Sequence, residues 1–186
     1  MAISSFSKVK GSRVMGIDAS THTIAYCIFD DKKVVEYGEL NFDGGTIYER
    51  ILNAKRIVKA LRSRFSVDFV AIEAAVMVRS AQTGLKMAYT FGAIMAELLE
   101  NGAKVFEVHP ITWQSYIGNN NYTKAQKESV KKEFPGRSDS WIKNEIRLRR
   151  KQNTLDYMAK LGVYTDSDNV ADAAGIAWYA VNELMS

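Results

Sequence analysis

The sequence predicts a single α/β domain built on a mixed five-stranded sheet flanked by helices, and three observations carry that prediction. The chain opens with two apolar stretches, residues 14–19 and 24–29, joined by the tight turn Ser20-Thr21-His22-Thr23, which reads as an antiparallel strand pair. The apolar stretch at 67–72, interrupted only by Asp68, lacks polar alternation and reads as a strand covered on both faces, as parallel sheets are. From Thr46 the apolar period switches to helical, with Ile47, Ile51, Ile57, Val58 and Leu61 on one side.

In chain order, Asp30-Asp31-Lys32 is a hairpin turn signal, and residues 34–42 read as a third strand, broken by Asp43-Gly44-Gly45. The helix from Thr46 follows, then the strand ending at Glu73. Residues 83–101 form a long helix rich in Met, Ala and Gly, stopped by Asn101-Gly102. Residues 104–108 are a fifth strand, cut by His109-Pro110. A short helix at 111–117 and another at 123–134 come next. Pro135-Gly136 interrupts, and 140–161 reads as a further basic helix or helical hairpin. Asp166-Ser167-Asp168-Asn169 reads as a helix start, and 170–184 as a closing amphipathic helix. Hairpins first and helices later suit a mixed sheet with flanking helices. No repeat or linker divides the chain, so residues 1–186 are expected to form one domain, with 135–163 as a basic helical insertion.

Composition narrows the class. At 186 residues and 47% hydrophobic content the chain can bury a proper core. Its one cysteine, Cys27, sits in an apolar strand, which excludes a disulfide framework and a thiolate metal site and favours a reducing compartment. No apolar run reaches membrane-spanning length, and residues 1–13 lack the apolar core of a signal peptide. A soluble cytoplasmic protein with no membrane partner is expected. The net charge of +4 conceals an uneven distribution. Residues 50–64 carry net +6, and so do 124–151, leaving the remainder at −8. Two basic blocks on an acidic background are the footprint of a polyanion-binding protein.

Three carboxylates stand where carboxylates are costly. Asp18 lies in the first apolar strand, Glu73 ends the fourth, and Asp172 sits one turn into the Ala-rich last helix. If the first and fourth strands are neighbours, Asp18 and Glu73 project toward one point, and a helix packed at that edge adds Asp172. Asp168 and Asn169 fall one turn earlier on the same helix face. For Asp168 a helix N-cap role competes with a ligand role. Hard oxygen donors with no Cys and no paired His select Mg2+, with Mn2+ as a substitute, over Zn2+. Such a cluster can act on a phosphodiester, activating a water and stabilising the leaving oxygen.

The sequence resembles the RuvC-type Holliday-junction resolvases, phage-encoded members in particular. The resemblance rests on Gly16-Ile17-Asp18 with Ser20-Thr21, on Ile72-Glu73, and on Ala171-Asp172-Ala173-Ala174. Met77-Val78-Arg79-Ser80, Gly84-Leu85-Lys86-Met87, Phe91-Gly92-Ala93, Val108-His109-Pro110-Ile111-Thr112-Trp113, Gly118 and Lys124 extend it over roughly 14–133 and 165–184. It implies an RNase H-like fold, a homodimer acting on four-way DNA junctions, and no nucleotide cofactor. It implies that Val76 and Met77 wedge against unstacked bases, and that Arg79, Lys86 and Lys124 contact phosphates, Lys124 also steadying the transition state. One position departs: Asn169 stands where the family commonly has Asp or His, leaving the fourth ligand to Asp168 or to Asn169, or marking an inactivated protein. The basic segment supplies Lys143, Arg147, Arg149 and Arg150 as added DNA contacts, with Trp141 as a stacking candidate. His109 reads as structural, and Trp113 as a core anchor. A nuclease on flap DNA or RNA–DNA hybrid and a non-catalytic junction binder are the alternatives. A sugar-kinase or actin-type nucleotide binder needs two such domains. A phage-encoded enzyme working in a bacterial cytosol is the corresponding expectation.

Overall fold

The computed structural model describes residues 13–67, 69–75, 80–100 and 102–185. Five strands form one sheet: β1 (Arg13–Ala19), β2 (Thr23–Asp30), β3 (Lys33–Asn41), β4 (Phe69–Glu73) and β5 (Lys104–Val108). Their spatial order is β3-β2-β1-β4-β5. The hairpins make β1–β2 and β2–β3 antiparallel, while β1–β4 and β4–β5 are parallel and need helical crossovers. Helices α1 (Ile47–Phe65) and α2 (Ala81–Glu100) supply those crossovers. Then follow α3 (Pro110–Tyr116), α4 (Lys124–Glu133), α5 (Asp139–Lys160) and α6 (Asp168–Tyr179), the last running into a π-helical turn, Ala180–Leu184.

Local chemistry sets the boundaries. Thr46 and Glu49 form a capping box at the start of α1, and Thr123 with Gln126 does the same for α4. Ser66 ends α1 in the left-handed conformation, its N–H returning to Arg62 O. Asp31, at φ 52°, turns the β2–β3 hairpin. The 140–161 stretch is one continuous helix, α5, rather than a hairpin.

Alternating side chains divide the core. On one face Met15, Ile17, Ile24, Ile28, Val70 and Ile72 pack against Val58 and Leu61 of α1 and Ile94 and Leu98 of α2. On the other, Val14, Ala25, Cys27, Phe29, Ala71 and Val108 meet α6 and Trp113 of α3. The second face is the small one. A Cβ built on Gly16 would fall 2.1 Å from Ala173 O and 2.6 Å from Ala177 N, so α6 lies with its backbone directly on β1. Gly175 performs the same service for Trp113, whose ring would stand 2.6 Å from an added Cβ. Among the described residues no helix is long and apolar enough to cross a membrane.

Candidate active site

The close approach of α6 brings the three carboxylates to one end of the sheet. Ile17 pairs with Ile72 across the parallel β1–β4 ladder, so Asp18 and Glu73 are the next residues on neighbouring strands. Both fall on the α6 side, in phase with Gly16 and Ala71. Asp172 enters from the second turn of α6, one residue ahead of the Ala173 carbonyl that rests on Gly16.

The electrostatics follow from this convergence. Burial, then the Glu73 charge, then the Glu39 charge push the Asp18 carboxyl up to about 7. Burial, then Asp18, then Glu73 push Asp172 up to about 7, opposed in part by Lys151 and Arg150. Glu73 is raised by burial and eased by its hydrogen bond from Trp113. Desolvation and like charge both favour the neutral acid, so the centre is short of positive charge. The missing charge fits a hard divalent cation: all three donors are carboxylate oxygens, and Cys27 lies buried within its strand. Among the described residues no three His, Cys, Asp or Glu side chains stand close enough to share one ion, so the acids converge without forming a finished chelate.

Glu73 is the best anchored of the three. Trp113, fully buried, donates from Nε1 to Glu73 Oε2 at 3.0 Å. Ala74 N–H donates to Val108 O at 2.9 Å, which continues the β4–β5 ladder past Glu73 and fixes its backbone. At the β1–β2 turn, Ser20 Oγ accepts from Thr23 N at 2.9 Å and from His22 N at 3.1 Å. Asp18 and Glu73 share a small pocket of about 80 Å³ with Met87, Thr90 and Phe91 of α2.

A larger groove of about 910 Å³ reaches Asp172 from the other side, between α4, α5 and the loop joining α3 to α4. Lys127 and Lys131 of α4 and Lys143, Arg147, Arg150 and Lys151 of α5 line it.

Comparisons with known proteins agree with this geometry. Residues 14–134 match the family described as crossover junction endodeoxyribonuclease RuvC. This chain belongs to the RuvC family. The crossover junction endodeoxyribonuclease RuvC of Sulfurovum sp. (strain NBC37-1) is 29% identical over 139 residues, 72% of this chain and 84% of that protein. Its counterpart in Aliarcobacter butzleri is 27% identical over 119 residues, 61% of this chain and 77% of that protein. Among solved structures, T. thermophilus RuvC in complex with Holliday junction substrate superposes with a TM-score of 0.64 at 17% identity, covering 93% of this chain and 97% of the other. The yeast mitochondrial Holliday junction resolvase Ydc2 gives 0.60 at 14% identity, covering 96% and 82%. The fold is therefore that of the RuvC resolvases, as the sequence resemblance implied.

Within this RuvC-family chain the expected residues separate into groups. Asp18, Glu73 and Asp172 come together. Asp168 is not the N-cap of α6: Ser167 is, its Oγ accepting from Val170 N. Asp168, the first helical residue, is instead ion-paired with Lys151. Asn169 donates from Nδ2 to Glu39 Oε1 at 3.0 Å, so both candidates for the fourth ligand are held by other partners.

Of the basic residues, Lys143 and Arg147 are exposed and line the groove. Arg149 does not: it bonds Glu133 at 2.6 Å and Glu145 at 2.8 Å and lies over the Phe134 ring, bracing α4 against α5. Arg150 is half-buried, donating to Gln114 Oε1 at 2.7 Å and Asn119 O at 3.1 Å, and so braces the α3–α4 loop. Lys124 is the exposed first residue of α4, one turn before the groove-lining Lys127. Lys86 lies on the second turn of α2 beside Met87. Val76, Met77 and Arg79 lie outside the described residues.

Trp141 is packed against Phe134 at 4.8 Å between ring centroids and carries Arg137 on its face, which occupies the ring expected to stack on a base. His109 is structural, its Nδ1 accepting from Ile111 N at the start of α3. His22 is held by Arg50 at 2.7 Å and Thr21 at 2.8 Å. Sequence reasoning missed the Trp113–Glu73 bond, the carboxylate of Glu39, and Lys151. The one available signal was spacing: Lys151 stands four residues after Arg147 and eight after Lys143.

Proposed function

We propose that this RuvC-family chain resolves four-way DNA junctions by divalent-metal-dependent hydrolysis of phosphodiesters, acting as a homodimer that places one nick on each of two opposed strands. The observation that carries the reading is the convergence of Asp18, Glu73 and Asp172, offset only in part by Lys151 and Arg150, with Asp172 lining a groove of basic side chains.

Asp18, Glu73 and Asp172 would hold Mg2+, for which Mn2+ can substitute. Bound ions supply Lewis acidity for an attacking water and neutralise charge developing on the phosphate. The protein supplies the rest. Trp113 holds the Glu73 carboxylate in one orientation, so the donor set is ordered before substrate arrives. Lys143, Arg147, Lys127 and Lys131 seat the DNA backbone along the groove, and Lys124 extends that surface one turn further. Hydrolysis of this type leaves 5′-phosphate and 3′-hydroxyl ends. Met77 is assigned to the branch point and Arg79 and Lys86 to flanking phosphates, on the resemblance alone.

The dimer reading rests on α2. Leu85, Ala88, Tyr89, Gly92, Ala96 and Leu99 form an exposed stripe at helical spacing with no charge in it, and Leu85, Tyr89 and Leu99 are 52%, 45% and 59% exposed. A two-fold junction needs two symmetric cuts, and a self-complementary helix face is what an isologous pair uses.

The test is nicking of a labelled four-way junction beside a linear duplex of the same sequence, with Mg2+, Mn2+ or chelator. Paired nicks in the junction, dependent on the ion, are expected. Tight junction binding with no turnover in either ion contradicts the enzymatic reading, and stronger cutting of flap or hybrid substrates contradicts the substrate.

A further inference from the structure

The groove ends on a lysine that the family resemblance does not assign. Lys143, Arg147 and Lys151 occur at intervals of four on α5, and all three line the groove that also contains Asp172. Four helical residues rise about 6 Å and overshoot one turn by about 40°, so the three cations form a slowly winding row of roughly the pitch at which phosphates succeed one another along a strand. Of the neighbouring α5 cations, Arg149 is spent on Glu133 and Glu145 and Arg150 on Gln114 and the Asn119 carbonyl. Lys151 reaches α6, where it is paired with Asp168, one turn before Asp172. Its side chain is one-third exposed, open to the groove it lines.

We propose that Lys151 is a catalytic residue that contacts the phosphate being cut, and that its ion pair with Asp168 is a latch which the reacting phosphate opens. This rests on the reading of Asp18, Glu73 and Asp172 as the metal centre. With no substrate, Asp168 satisfies the ammonium and keeps it beside Asp172. A phosphodiester carries one charge and two non-bridging oxygens, as a carboxylate does, so the exchange is driven by the extra negative charge that builds on the phosphate as it reacts, which draws the ammonium from Asp168. Water forms the new P–O bond and gives up a proton to solvent, the bond to the 3′ oxygen breaks and that oxygen takes up a proton from solvent, and Lys151 stabilises the charge that builds on the non-bridging oxygens. A compact charge on a flexible four-carbon stem suits a partner exchange of this kind.

The experiment uses the full chain and measures single-turnover nicking of a saturating labelled four-way junction in Mg2+, with junction affinity and melting temperature for each variant. Lys151→Met should lower the nicking rate about 100- to 1000-fold while changing affinity only a few-fold. Lys151→Arg should recover part of that loss. Asp168→Asn breaks the same ion pair but leaves the ammonium, so its rate should stay at least tenfold above that of Lys151→Met, with tighter junction binding. Equal losses in Lys151→Met and Asp168→Asn, accompanied by equal drops in melting temperature, would make Lys151 a staple between α5 and α6 and overturn the inference. A Lys151→Met rate matching the wild type would overturn it as well. Asp18→Asn in the same assay separates the two readings: full nicking by that variant removes the metal centre itself, whereas its failure beside an active Lys151→Met removes only the role of the lysine.

Discussion

The two faces of the sheet are built to different rules. Toward α1 and α2 the strands present Met15, Ile17, Ile24, Ile28, Val70 and Ile72, large side chains that hold the helices at ordinary packing distance. Toward α6 they present Gly16, Ala25 and Ala71, and the helix answers with Ala173, Ala174, Gly175 and Ala177. The first face buries area. The second gives up some of that area so that a helix backbone can rest on a strand, and the three costly carboxylates are found there. Small residues on this face thus serve placement: α6 pressed against β1 puts Asp172 within electrostatic reach of Asp18 and Glu73.

Adjacent residues test the contrast most severely. Gly16→Val has nowhere to put its side chain, and we expect a loss of stability above about 4 kcal/mol, seen as failure to give a cooperative melting transition. Ile17→Val, one residue on but facing α1 and α2, should cost only about 1 kcal/mol and leave nicking intact. Comparable effects at the two positions would erase the distinction between the faces.

A second difference appears with pH. Asp18 and Asp172 are held near 7 against an ordinary value of 3.8, so between about pH 4 and pH 7 the folded protein retains protons that the unfolded chain has released. The folded state binding more protons means that stability falls as pH rises through that window. Without divalent ion, stability should drop by roughly 2–4 kcal/mol between pH 5 and pH 8, and Mg2+ should restore it at pH 8. Asp18→Asn should flatten the profile and raise the ion-free melting temperature at pH 8. An ion-free profile that rises with pH contradicts the electrostatic account.

The smallest expected effect concerns orientation. Trp113→Phe preserves a ring in the core but removes the N–H that holds Glu73. A hydrogen bond to a charged group contributes about 1.5–3 kcal/mol. We expect a nicking rate lower by about tenfold and a higher Mg2+ requirement. Unchanged Mg2+ dependence would make the bond incidental.

Much of this was legible in the sequence, for reasons that differ by residue. The strands and crossover helices announce themselves through apolar period, and the boundaries at Thr46 and Thr123 through capping chemistry. Asp18 and Glu73 were visible because a carboxylate in an apolar strand needs a reason, and the β1–β4 pairing then brings them side by side. Partnerships across the chain were not legible. Trp113 and Glu73 are forty residues apart, and Glu39 and Asn169 are brought together by a register running Asp18, Ala25, Glu39 across three strands. Charge counting also treats the two basic blocks as equals. On α1, Lys55 is paired with Glu97 and Glu100, Arg50 bonds His22, and Arg64 lies over Phe65, whereas α5 leaves Lys143 and Arg147 facing the groove. Net charge reports the sum, and only the fold says which charges remain available to DNA.

We propose that the small-residue face assembles a divalent-ion centre from Asp18, Glu73 and Asp172. Calorimetric titration of Mn2+ at pH 8, into the wild type and into Asp18→Asn and Asp172→Asn, tests it most directly. Saturable binding in the wild type, lost or weakened at least tenfold in both variants while they remain folded, is the expected result. Binding that is unchanged in both variants would place the ion elsewhere and contradict the account.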